Sequence, residues 1–101
     1  MTLSNLPKSV RIAGHTVKVV VRDLDGDPYG CWSCDKKTIT LDSSLRGKDL
    51  VETLRHEMLH AVFDLAGVGF SPGFPDENVI RALESLFFPA WDRVQKRLFQ
   101  S

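Results

Sequence analysis

Up to about residue 42 the apolar positions of this chain alternate with polar ones, and beyond it they recur every three to four residues. Alternation is the signature of a strand with one buried face, and the longer period that of a helix with one buried stripe. Residues 1–8 read as a tail ending at Leu6-Pro7. Residues 9–13 form a short strand, Gly14-His15 a tight turn, and residues 16–23, rich in valine, a second strand that closes a hairpin. Asp25-Gly26-Asp27-Pro28 is a turn by composition. Two more extended runs follow, residues 29–34 and 37–42, joined at Asp35-Lys36. In the second of these, Ile39 and Leu41 fall on one face and Thr38, Thr40 and Asp42 on the other.

The period then changes. Ser43-Ser44 offers an N-terminal cap, and a helix is expected from Gly47 or Lys48 through Ala66, ended by Gly67 and Gly69. At 100° per residue, Leu50, Leu54, Met58, Ala61 and Leu65 cluster on one side, with Val51 and Val62 at its edge. Thr53, His56, Glu57, His60 and Asp64 share the opposite sector. Residues 67–75 read as a loop whose Phe70 and Phe74 either line a cleft or pin the loop to the core. Pro75-Asp76 opens a second helix with Asp76 as cap and Val79, Leu83, Leu86 and Phe87 on its core side. Glu77, Arg81, Glu84 and Phe88 line another sector, and Pro89 breaks or kinks the helix near Phe88. Trp91, Val94 and Leu98 predict a last short helix packed on the rest. The pattern as a whole predicts an α+β fold: a small N-terminal sheet of three to four strands, mostly antiparallel, with three helices in one domain spanning residues 1–101.

Composition narrows the functional classes. Thirteen basic and thirteen acidic residues cancel, the pI is near 6.8 and no basic tract occurs, which argues against nucleic-acid or anionic-membrane partners. No apolar run approaches a membrane span and the N-terminus lacks a signal peptide's hydrophobic region, so the expected location is cytoplasmic. The two cysteines stand as Cys31-Trp-Ser-Cys34. A redox dithiol belongs at the start of a helix and these lie in a strand-like run, while a structural zinc would need two further ligands with only His15 free to help. Two small strand residues, or an adventitious disulfide, are the simpler readings.

The chemistry is concentrated in His56-Glu57-Met58-Leu59-His60. Residues four apart stack on one helical face, so both imidazoles can address one point. Neutral imidazoles suit Zn2+, and three protein ligands with an open water position make a catalytic zinc site rather than a structural one. Glu57, beside the first ligand, can take a proton from the metal's water. The third ligand must come from elsewhere. Asp64 lies about 12 Å along the axis from His56, too far to share its metal easily and better placed to orient a histidine. Glu77 begins the next helix, where an antiparallel return brings it back toward the metal helix. It is the favoured ligand, with Glu84, two turns on, as the alternative or as a hydrogen-bond partner behind the site.

With strands first, then Glu52-Thr53-Leu54-x-His56-Glu57-x-x-His60-Ala61, a short loop and Glu77-x-Val79-x-x-Ala82-Leu83, the chain resembles the minimal gluzincin-type zinc metallopeptidases. Related small proteins are found in phages and mobile elements and in domains of the ImmA/IrrE type. The resemblance covers roughly residues 9–88. It implies one zinc held by His56, His60 and Glu77, with Glu57 as general base. It also implies that the last strand before the metal helix, Thr38, Ile39, Thr40, Leu41 and Asp42, is an exposed edge along which an extended protein or peptide substrate pairs. The chain departs from larger gluzincins in lacking an Asn-Glu-x-x-Ser-Asp partner motif and a firm oxyanion-stabilising side chain. Tyr29 and His15 are the candidates for that role.

The expected function is zinc-dependent hydrolysis of a peptide bond. Two readings compete with it. A small zinc hydrolase acting on RNA predicts a third histidine soon after the motif and a basic surface, and no histidine follows His60. A non-enzymatic zinc-containing module that binds a partner protein has no use for a base at position 57.

Overall fold

The computed structural model describes residues 3–69 and 75–99, so Phe70 and Phe74 and the roles expected of them lie outside the described residues. Strands β1 (Ser9–Ile12), β2 (His15–Arg22), β3 (Gly30–Ser33) and β4 (Thr38–Asp42) precede helices α1 (Gly47–Leu65), α2 (Asp76–Ala82) and α3 (Phe88–Leu98). The expected α+β class and mostly antiparallel N-terminal sheet are what forms. Two compact units are distinguishable, Met1–Gly69 and Phe70–Ser101.

In the first unit the sheet order is β1-β2-β4-β3. β1 and β3 pair antiparallel with their neighbours, while β2 and β4 run parallel. The hairpin turn is Ala13-Gly14, both with positive φ (50° and 79°), one residue earlier than expected. Positive φ at both central residues matches the twist of the flanking strands. The Arg11 guanidinium clasps this turn by donating to the Gly14 carbonyl at 3.0 Å and the Thr16 hydroxyl at 3.2 Å. His15 is therefore the first residue of β2, paired with Ile12, rather than a turn residue.

The core forms where the sheet's apolar face meets α1. Val17, Val19, Ile39 and Leu41 are buried there with Leu45, Leu50 and Ala61, and Leu54, Met58 and Leu65 pack against them from the helix. Val51 and Val62 stay at the rim, each 37 % exposed. The N-terminal residues are not a free tail: Leu3 and Leu6 pack on the same cluster around a short 3-10 turn, Leu3–Asn5.

Helix α1 begins as expected but is not capped by Ser43 or Ser44. Its cap position is Arg46, with no side-chain cap bond. Ser44 instead gives its amide (3.0 Å) and its hydroxyl to the Asp42 carboxylate. At the other end the Val68 amide bonds the Phe63 carbonyl (3.0 Å) and the Gly67 amide the Asp64 carbonyl (3.2 Å), with Gly67 at φ 71°. This paired closure of the last carbonyls is the Schellman arrangement that Gly67 permits.

The second unit departs from expectation in phase. Pro75, not Asp76, occupies the cap position of α2, and Asp76 is its first helical residue. Pro89 does not break the chain's helical path. The five residues Leu83–Phe87 form a π-helical turn, closed by the Phe88 amide on the Leu83 carbonyl, and α3 follows directly. A proline has no N–H and its ring crowds the carbonyl four residues back, and a wider turn relieves both conflicts. The extra residue rotates the stripe that simple periodicity assigns to the core. Ile80 is fully buried, whereas Leu86 and Phe87 are 73 % and 53 % exposed. No residue of α3 is buried, and Trp91, Val94 and Leu98 do not pack away as expected.

Candidate metal centre

The middle of α1 carries the two histidines one turn apart, both partly buried, their ring centroids 5.0 Å apart and their planes at 66°. Between them in sequence Glu57 is only 8 % exposed, although glutamate is seldom buried without a reason. The reason is β3. A Cβ built on Gly30 would lie 2.8 Å from Thr53 Cγ2 and 3.3 Å from Glu57 Cγ. Strand and helix touch here because position 30 has no side chain, and the contact covers the Glu57 stem. A glycine inside a strand pattern is the sequence signal of such close approach, and it was available at Gly30.

Glu77 stands in the first turn of α2 with Arg81 Nε 3.8 Å from its Oε2. His56, His60 and Glu77 form a group that could hold a metal ion: each offers one ligand atom, and these atoms lie within 4.8 Å of one another. Tetrahedral zinc with bonds of about 2.0–2.1 Å sets its ligand atoms roughly 3.4 Å apart, within reach of that spread by small side-chain rotations. Two imidazoles and one carboxylate are also the donor set of catalytic zinc. The residues fit the metal.

Asp64, Glu84 and His15 lie outside this group. Asp64 Oδ2 accepts a hydrogen bond from Trp32 Nε1 at 2.7 Å, so it ties α1 to β3 rather than serving as a ligand. Glu84 lies in the π-helical turn and outside the convergent group. His15 is far from Glu57: Gly30 pairs with Leu41 and Leu41 with Val21, and His15 is six residues back along β2, about 20 Å at the rise of a strand. It cannot stabilise charge at this site. Tyr29, immediately before β3, is half exposed, its ring against Gly26, where a Cβ would come within 3.2 Å. Cys31 and Cys34 are both free and exposed.

The strand expected to receive substrate is corrected by the sheet order. Thr38, Ile39, Thr40, Leu41 and Asp42 belong to β4, which is hydrogen-bonded on both sides, to β2 and to β3. It has no free edge. The edge nearest α1 is β3, not the last strand before the helix that the resemblance implies. Asp42 is 2 % exposed and structural. One oxygen accepts from the amides of Leu24 (2.7 Å) and Gly26 (3.4 Å), the other from Ser44. The Ser44 hydroxyl, followed by the Leu24 amide, lowers its pKa from the usual carboxylate value to about 2.

Compared with protein-family models, curated proteins and solved structures, the chain matches none. No helix among the described residues is long and apolar enough to cross a membrane.

Proposed function

We propose that this chain is a zinc-dependent peptidase of the minimal gluzincin kind, with His56, His60 and Glu77 as ligands and Glu57 as general base. The observation that carries the reading is the convergence of those three ligand atoms within 4.8 Å, two of them from the helix that also holds Glu57 under Gly30. Zinc bound there supplies Lewis acidity, which acidifies a water and polarises a carbonyl. Glu57 accepts the proton that the attacking water loses and passes it to the leaving amine nitrogen. Burial of its stem against Gly30 limits the rotamers of the side chain and aims the carboxylate. The outer edge of β3 is the ladder on which an extended peptide pairs, its backbone running past Gly30.

Balanced acidic and basic residues, with no histidine after His60, favour this reading over an RNA hydrolase. It is tested by metal content and turnover on protein purified without chelator or histidine tag. About one zinc per chain is expected, retained in Glu84→Ala and lost in Glu77→Ala. Cleavage of a mixed peptide library is expected to vanish in Glu57→Gln while zinc remains. A wild-type chain that takes up no zinc when the metal is supplied would sink the proposal.

A further inference from the structure

A cavity of about 450 Å³ opens at the N-terminal end of α1, with Tyr29, Arg46, Asp49, Glu52 and Thr53 among its walls. Its size lies within the roughly 300–1,000 Å³ range of sites that take a small group. Thr53 joins it to the candidate centre: the same side chain meets Gly30, and Glu57 follows one helical turn later. A peptide paired on the edge of β3 and running past Gly30 toward Tyr29 therefore lays its next side chains over this cavity.

The lining has a definite chemical preference. Asp49 and Glu52 present two carboxylates from the first turns of α1. The lining also holds Arg46, whose Nη1 is turned to the carbonyls of Ser43 (2.8 Å) and Leu45 (2.6 Å), so the two carboxylates leave the wall net negative. Glu52 has Lys48 at 3.7 Å, but that lysine side chain is 85 % exposed, and such a pair contributes little and exchanges readily. The aromatic wall rests on the Asp42-held turn. Asp42 holds the turn through the Leu24 and Gly26 amides, and Gly26 braces the Tyr29 ring. Two carboxylates beside a braced aromatic face suit a cationic side chain, by charge pairing and by cation–π contact.

We infer that this cavity is a specificity subsite for an arginine or lysine side chain of the substrate, read by Asp49, Glu52 and Tyr29. The inference rests on the peptidase reading for its substrate, but its test does not need turnover. The probe is an acetylated, amidated hexapeptide of alanines with one arginine, compared with the same peptide carrying neutral citrulline or glutamate there. Binding is followed by amide chemical shifts in the full Glu57→Gln chain. The arginine peptide is expected to bind about tenfold more tightly than the citrulline peptide, with shifts at Tyr29 and Thr53. The double variant Asp49→Asn/Glu52→Gln, both positions exposed, is expected to erase that difference while unfolding at the same temperature. Equal binding of the three peptides, tighter binding of the glutamate peptide, or a preference that survives the double variant overturns the assignment. Arginine preference in a chain that binds no zinc leaves the subsite standing and removes the peptidase. Zinc-dependent cleavage indifferent to arginine does the reverse.

Discussion

Trp32 Nε1 donates a 2.7 Å hydrogen bond to Asp64 Oδ2, and so ties the edge strand to the last turn of the helix that bears both histidines. Together with the contact of Gly30 on Thr53 and Glu57, it fixes β3 to α1 at two levels. The spacing between strand and helix at the candidate centre is set by these two contacts.

Trp32→Phe removes the donor and keeps an aromatic ring. The loss of one charge-assisted bond is expected to lower unfolding free energy by about 1–2 kcal/mol in urea titrations. On the proposed ligand set, which leaves Asp64 out, zinc content should not change. Loss of zinc in this variant would return Asp64 to the metal site.

Gly30→Ala puts a methyl group 2.8 Å from Thr53 Cγ2, inside the distance real contacts allow. The expected cost is about 1–3 kcal/mol of stability as strand and helix separate. Thr53→Ser deletes the clashing methyl, and the double variant should recover most of the loss. Without recovery, the approach of β3 to α1 is not governed by this contact.

Asp42 makes a pH-dependent contribution whose sign follows from its lowered pKa. Its folded value is about 2, below an unfolded value near 3.9, so the folded protein holds the ionised form more strongly. The stabilisation is complete above about pH 4 and is lost as pH falls through about 2. Urea midpoints of wild type and Asp42→Asn should differ most near neutrality and draw together toward pH 2. A gap independent of pH would show that the carboxylate charge is not what holds the turn.

Arg81→Ala removes the neighbour of Glu77. An exposed pair spaced by four residues on a helix contributes only about 0.3–0.5 kcal/mol, so zinc affinity in a competition titration should move less than about threefold. A larger fall would make Arg81 a positioning residue for the ligand.

Trp91 and Leu98 are 45 % and 68 % exposed. Their replacement by serine should shift stability by no more than about 0.5 kcal/mol each, the range for surface positions. A greater loss by thermal unfolding would mean that α3 is covered in solution.

The central helix and its polar sector were legible because a nineteen-residue amphipathic pattern records both its period and its stops. That Glu77 joins His56 and His60 in a group that could hold a metal ion was expected from the spacing of the next helix. The order of the strands was not legible: alternation reports which face of a strand is buried and is silent on its neighbours, and the edge that the resemblance implies for residues 38–42 is an inner strand. The π-helical turn escaped for a related reason, since a fixed angle per residue assigned Leu86 and Phe87 to the core, and a single inserted residue moved them out. Asp42 shares its parity with Thr38 and Thr40 yet is buried, because amides and a hydroxyl that no periodicity records converge on it.

The parallel pairing of β2 with β4 makes the chain between Arg22 and Thr38 a detour: the β1-β2-β4 frame joins directly, and β3 is laid outside it. Tyr29, Gly30 and Trp32, which face the first half and the end of α1, all ride on that detour. It is anchored at its root by Asp42 and spliced to the frame along one strand. Such a segment is an exchangeable cassette. Grafting a detour of different length or sequence, with Asp42 and the Gly30 contact kept, would reshape the surface beside α1 without disturbing the helix that carries the two histidines.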